Sequence, residues 1–182
     1  MSFKLVTGNA NKLAEIQQIL GPSIMIIKLD LTEIQSVSLR EITLDKARRA
    51  YEAVGEAVVV EDVSAEILAL GNFPGPFLKF WEQAGCWDHV QPLVAATNDR
   101  RMIVRCGVAY KDAEREVYVE SEVHGTLVAR SQGEGWGFDF YFVPEGLDQT
   151  FAEMGKEQKN QLSHRSQAYA MLKGKLEELS LL

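Results

Sequence analysis

Hydrophobic positions in the first third of the chain change period several times. Residues 3–7, "FKLVT", form a short apolar run that predicts a buried β-strand, and residues 12–20 place Leu13, Ile16 and Leu20 at helical spacing. "IMIIKL" at 24–29 and "AVVVE" at 57–61 return to strand character. Between them, residues 39–54 put Leu44, Ala47, Tyr51 and Val54 on one helical stripe. Gly21-Pro22 predicts the stop of the first helix, and Ser38-Leu39-Arg40-Glu41 has the form of a capping box opening the second. Strand alternating with helix predicts an α/β layer with parallel pairing.

The pattern changes in the second half. "FPGPF" at 73–77 breaks the chain, and residues 102–110 and 116–124 predict an antiparallel hairpin around a polar turn at 111–114. "FDFYFVP" at 138–144 predicts a further strand with Phe138, Phe140 and Phe142 on one face. One long helix is expected at the end, with Leu162, Tyr169, Leu172, Leu176 and Leu179 on one side. Repeats, linkers and low-complexity tracts are absent, so a single domain over residues 1–182 is expected, long enough to bury a core.

Composition narrows the function classes. No apolar run approaches the roughly 18 residues of a membrane span, and the start "MSFKLV" lacks a secretory pattern, which predicts a cytoplasmic protein with no membrane role. Cys86 and Cys106 lack metal-ligand spacing and are expected to be reduced core thiols. The net charge of −7 has no basic stripe, which argues against polymeric nucleic acid as a partner. Small polyphosphates remain compatible, given a divalent cation and a few local lysines.

Three stretches carry candidate chemistry. "VTGNANK" at 6–12 joins a strand to a helix; Gly8 permits a turn, and helix amides with Lys12 suit an anion, although Gly-Asn here is also ordinary turn chemistry. It is not a Walker loop, because Asn11 precedes Lys12 and Leu13 follows it. Glu61 and Asp62 follow the apolar run 57–60 and should stand at the carboxyl end of a central strand, where open α/β sheets bind ligands. Glu33, after the second strand, should reach the same edge from a neighbouring strand, either as a magnesium ligand beside a phosphate site or as a solvated loop acid. Glu41 has the competing reading of a helix cap. The third cluster is "GWGFDFYF" with "EMGKEQKNQLSHR". Trp136 and Phe138 flank a glycine where rings can stack on a planar ligand, or can belong to the core. Lys159, Ser163, His164 and Arg165 concentrate donors that suit a purine with an oxygen at position 6 and suit adenine badly.

Taken together, the chain resembles the inosine triphosphate pyrophosphatase family. The resemblance rests on "TGNANK", "EIQ" at 33–35, "VED" at 60–62, "FPGP" at 73–76, "GWGFD" at 135–139 and "TFAEMGKEQKNQLSHR" at 150–165, in order along nearly the whole chain. It implies an elongated mixed α/β fold with flanking helices, two lobes around a central nucleotide cleft, and a homodimer. The implied activity is magnesium-dependent cleavage of purine nucleoside triphosphates such as ITP, dITP and XTP to monophosphate and pyrophosphate. By the same resemblance, Thr7, Gly8, Asn9, Lys12 and Lys46 hold the triphosphate, and Glu33 and Asp62 hold Mg2+. Asp62 is either the base that activates water or only a metal ligand. Trp136, Gly137, Phe138 and Asp139 enclose the base, which Lys159, Ser163, His164 and Arg165 read.

Departures from the family pattern keep two alternatives open. Val63 stands where a serine or threonine is usual, with Ser64 one step later; Glu66 replaces an apolar residue, Phe140 replaces a proline, and residues 129–135 lack one. One alternative is a pyrophosphatase of the same mechanism for another modified nucleotide. The other is a purine nucleotide-binding protein with negligible turnover.

Overall fold

The computed structural model describes residues 3–8, 10–20 and 24–181; the expected helix stop at Gly21-Pro22 lies outside them. In chain order the elements are β1 (Lys4–Val6), α1 (Ala10–Leu20), β2 (Met25–Ile27), α2 (Leu39–Val54), β3 (Val58–Ile67), β4 (Phe73–Gly75), α3 (Leu78–Gln83) and α4 (Val90–Ala95). There follow β5 (Arg101–Lys111), β6 (Glu116–Leu127), β7 (Phe142–Pro144), α5 (Lys156–Leu162) and α6 (His164–Glu178). The seven strands form a mixed sheet in the order β2-β1-β3-β5-β6-β7, with β4 pairing β3. Parallel pairing holds β1 against β2 and β3, as the alternation of the first third predicts, whereas β3–β4 and β6–β7 are antiparallel.

Two compact units divide the chain. The first comprises Met1–Asp62, Cys106–Ser121 and His164–Leu182, and the second Val63–Arg105 and Glu122–Ser163. In the first, Val58 and Val60 alternate onto the same side of β3 and meet Ala47 and Ala50 of α2, with Val6 and Ala109 completing the buried cluster. Each buried valine contributes about 1.5–3 kcal/mol by leaving water, and each alanine less. Helix α2 begins at Ser38, whose Oγ accepts from the Glu41 amide at 3.3 Å. The reciprocal half of the capping box is replaced, because Ser36 donates its hydroxyl to the Glu41 carboxylate at 2.6 Å and accepts from the Ser38 amide at 3.0 Å. Gly55, at φ 70°, ends the helix in the left-handed conformation that favours glycine.

The second unit is built on rings. Trp81, Trp87, Phe138, Phe142 and Phe151 form a chain of edge and tilted contacts with centroids 5.1–6.5 Å apart, and Trp87 stacks on Tyr141 at 5.5 Å.

Three expectations are corrected. Residues 138–144 do not form one strand: Gly137–Phe140 is a 3-10 turn, and only Phe142–Pro144 pairs, with β6. The alternation of Phe138, Phe140 and Phe142 therefore does not place them on one strand face. Nor is the last helix continuous, since Ser163 takes an extended ψ of 153° and separates α5 from α6. Finally, β3 continues to Ile67, so Asp62 stands inside the strand and not at its end. It lies three residues beyond the β1 pair Leu5↔Val59, and thus at the carboxyl edge of the parallel portion.

Candidate active site

Consecutive residues of a strand point to opposite faces, so Glu61 and Asp62 serve two separate clusters of the first unit. On the Asp62 side, Lys46 of α2 brings its Nζ 3.3 Å from Asp62 Oδ2 and 2.5 Å from Glu33 Oε1. The two acids do not come from neighbouring strands, because β1 lies between β2 and β3. The irregular segment after β2 carries Glu33 across to the same ammonium group. Burial works against the charge on Lys46, but Asp62 and Glu33 outweigh it and raise the pKa. This side stays accessible: the Glu33 side chain is 42% exposed and that of Asp62 18%.

On the Glu61 side the central acid and arginine are sealed. Glu61 is 2% and Arg165 1% exposed. Arg165 Nε donates to both Glu61 oxygens, at 3.1 and 3.0 Å, while its Nη1 pairs with Glu15 of α1. Lys12 Nζ lies 3.2 Å from Glu61 Oε1. Burial alone would push the Glu61 carboxyl up; the charges of Arg165 and Lys12 and their hydrogen bonds reverse this and bring it down to about 2. His164, also buried, receives the Ser121 hydroxyl on its backbone carbonyl.

The strand-to-helix junction is partly described. Thr7 donates its amide to Ile27 O at 3.1 Å, which extends the β1–β2 pairing. A Cβ on Gly8 would meet nothing within 4 Å among the described residues, and its φ is not in the left-handed region. Asn9 lies outside the described residues.

In the second unit, the loop 133–139 is closed on itself. Gly137, at φ 59°, adopts the left-handed conformation that favours glycine, and the Glu82 carboxylate end lies 2.2 Å from where a Cβ would stand, so a side chain there would also displace it. Asp139 accepts from the Trp136 amide at 3.1 Å and from Lys159 Nζ at 2.7 Å, and both partners of that ion pair are buried. Phe138 is 2% exposed and packs in the aromatic core, so its ring faces protein. Ser163, fully buried, donates its amide to Lys159 O at 2.8 Å.

Sequence reasoning therefore missed the hub at Glu61, its second arginine acceptor Glu15, and Glu82 behind Gly137. A signal existed for two of them. A glutamate directly after four apolar residues must find a buried cation. Glu15 follows Lys12 by three positions, on the same helical face.

Among the described residues no cluster of three or more His, Cys, Asp or Glu side chains is arranged to hold a metal ion. Two carboxylates do converge, however, and a lysine ammonium stands as the positive charge between them. Such a pair fits magnesium, which keeps several waters and takes further oxygen ligands from phosphates.

The mixed sheet with flanking helices is a known architecture. A HAM1 protein from Coxiella burnetii has it at a TM-score of 0.84 and 26% identity, over 97% of this chain and 99% of that one. The Staphylococcus aureus Ham1 protein superposes at 0.82 and 25% identity, over 96% and 98%. A model of the Ham1 family matches residues 3–175, and the chain belongs to that family. It is 38% identical to an inosine triphosphate pyrophosphatase from Podospora anserina, over 92% of this chain and 89% of that protein. Identity to a dITP/XTP pyrophosphatase from Pyrobaculum aerophilum is 37%, over 94% of each. No helix among the described residues is long and apolar enough to cross a membrane.

Proposed function

We propose that this chain is a hydrolase of acid anhydrides that cleaves 6-keto purine nucleoside triphosphates (ITP, dITP and XTP) to monophosphate and pyrophosphate. In that role it removes aberrant nucleotides from the cytoplasmic pool. The observation that carries the proposal is the convergence of Glu33 and Asp62 on Lys46 at 2.5 and 3.3 Å. Two acids and a lysine at the carboxyl edge of parallel strands suit an anionic tail that arrives with its own cation.

Glu33 and Asp62 would hold Mg2+, which supplies charge neutralisation at the phosphates when bound. Lys46 and Lys12 add fixed positive charge for the leaving pyrophosphate, placed before reaction begins. Asp62 orients the water that attacks the α-phosphorus and takes its hydrogen bond. Thr7, Gly8 and Asn9 are assigned to the phosphates as well. Nothing among the described residues demands a glycine at position 8, and a residue without a Cβ there would let a phosphate approach the backbone closely.

The base is assigned to Trp136, Gly137, Phe138, Asp139, Lys159, Ser163, His164 and Arg165. Lys159, an obligate donor fixed by Asp139, matches a purine acceptor at position 6 and would face the adenine amino group donor to donor. Phe138 acts there by holding the loop from the core side, and Trp136 is assigned to stack on the base. A homodimer is part of the same reading, and the exposed rings of Phe73 and Phe80 supply apolar surface for it.

A second reading, a purine nucleotide binder with negligible turnover, is favoured by one observation. Ser64 cannot stand in for the hydroxyl absent at Val63, because it points to the other side of β3 and donates to Glu66 at 3.1 Å. Pyrophosphate release from ITP, dITP, XTP, ATP and GTP, with and without magnesium, separates the readings. Magnesium-dependent release favouring ITP, dITP and XTP is expected, and tight binding without release would replace the first reading by the second.

A further inference from the structure

Glu61 is a buried ionised group that the reaction above does not use. It sits between two cations from different helices: Lys12 of α1, 3.2 Å from Oε1, and Arg165 of α6, whose Nε donates at 3.1 and 3.0 Å. The proposed function assigns those cations to opposite ends of the substrate, the phosphate tail and the purine. One carboxylate shared by two cations in a desolvated setting cannot serve them independently. Drawing one away strengthens its hold on the other, because interactions of this kind are little screened inside a protein.

We propose that Glu61 is a positioning residue that couples tail to base: Lys12 leaving it for phosphate tightens Glu61 on Arg165, so base preference depends on the occupied tail site. This rests on the substrate assignment above. Glu15 holds the other side of the Arg165 guanidinium, so the arginine shifts between two acids and is never stripped of charge partners. Coupling of this kind is reciprocal, as any linkage between two ligand groups must be.

The test uses Lys12→Met, Glu61→Gln and the double variant, with kcat and KM for ITP and ATP. Lys12→Met alters the tail end alone, yet it is expected to change the ITP-to-ATP ratio of kcat/KM by about tenfold, chiefly through KM. The same substitution in the Glu61→Gln background is expected to change that ratio by less than about twofold. Equal losses for both nucleotides when Lys12 is replaced in the wild-type background would overturn the coupling. Should Glu61→Gln fail to fold, Lys12→Met alone decides by that same ratio.

A binding arm separates this inference from the substrate assignment. The dissociation constant of inosine is measured with and without saturating inorganic triphosphate, a readout that needs no turnover. Wild type is expected to shift by about tenfold and Glu61→Gln not at all. An unshifted wild type, or one with no inosine site, overturns the coupling. A shift in a protein that releases no pyrophosphate from ITP sustains it while sinking the hydrolase reading.

Discussion

The two faces of β3 carry the same ingredients and put them to different uses. On each, acids from separate elements meet lysine or arginine from a flanking helix. Around Asp62 the side chains keep contact with water, and the lysine sits between two carboxylates that have room for other ligands. Around Glu61 the acid and the arginine are sealed to 1–2%, and burial also pushes the neighbouring Cys106 thiol and Tyr169 hydroxyl well up, out of any titration near neutrality. Exposure, more than pairing, separates the two. A sealed pair is held by its own geometry and is costly to break, whereas an open one can exchange its ammonium for a substrate's cation and phosphates.

The largest effect should come from breaking the sealed face. Arg165→Met leaves Glu61 and Glu15 without their shared guanidinium, and a loss of about 3–5 kcal/mol in urea unfolding is expected. On the open face, Asp62→Asn should cost less than about 1 kcal/mol of stability. It should reduce ITP cleavage by about a hundredfold or more, measured as pyrophosphate release with magnesium. Reversed results, with Asp62→Asn unfolding the protein and Arg165→Met only slowing it, would invert the comparison.

How much of this was legible in the sequence depends on the range of the interactions involved. The first-third alternation, α2 and its Ser38 start, and the β5–β6 hairpin were readable because their signals are local. The approach of Glu33 and Asp62 to one point followed from parallel strands sharing an edge, although β1 intervenes and a coil segment covers the distance. The break at Ser163 was hidden because neither glycine nor proline marks it and the apolar stripe runs on in helical period. The turn at Gly137–Phe140 was hidden because "FDFYF" mimics a strand. The Glu82 carboxylate that lies against Gly137 comes from a residue 55 positions away in the chain. The choice of Arg165 as the partner of Glu61 spans 104 positions and leaves no local trace.

Acid provides a sharper probe of the sealed face. The Glu61 carboxyl is depressed from its ordinary 4.5 to about 2, because Arg165 and Lys12 overcome the opposing effect of burial. A depressed acid stabilises the fold fully above its unfolded value and loses that contribution as pH falls toward the folded one. About 3 kcal/mol should therefore disappear between roughly pH 4.5 and pH 2. Of the groups around it, Arg165, Cys106 and Tyr169 are all pushed up and keep one protonation state through this window. Urea midpoints across the window should fall steeply in wild type and more shallowly in Glu61→Gln; parallel curves would mean that Glu61 does not carry the acid sensitivity.

The smallest effect comes from a pair that has good geometry but no seal. Arg48 of α2 donates from Nε and Nη2 to both oxygens of Glu116, each at 2.7 Å, while its side chain remains 55% exposed. If hydrogen bonding to both carboxylate oxygens alone made the Glu61–Arg165 pair strong, Arg48→Ala should be comparably damaging. Solvent screening and the entropy of fixing two surface side chains argue otherwise, and a loss below about 1 kcal/mol is expected, shrinking further in high salt. The measurement is the urea midpoint of Arg48→Ala beside that of Arg165→Met, each at low and high ionic strength. A salt-insensitive loss at Arg48 as large as that at Arg165 would show that geometry, and not exclusion of water, divides the two faces of β3.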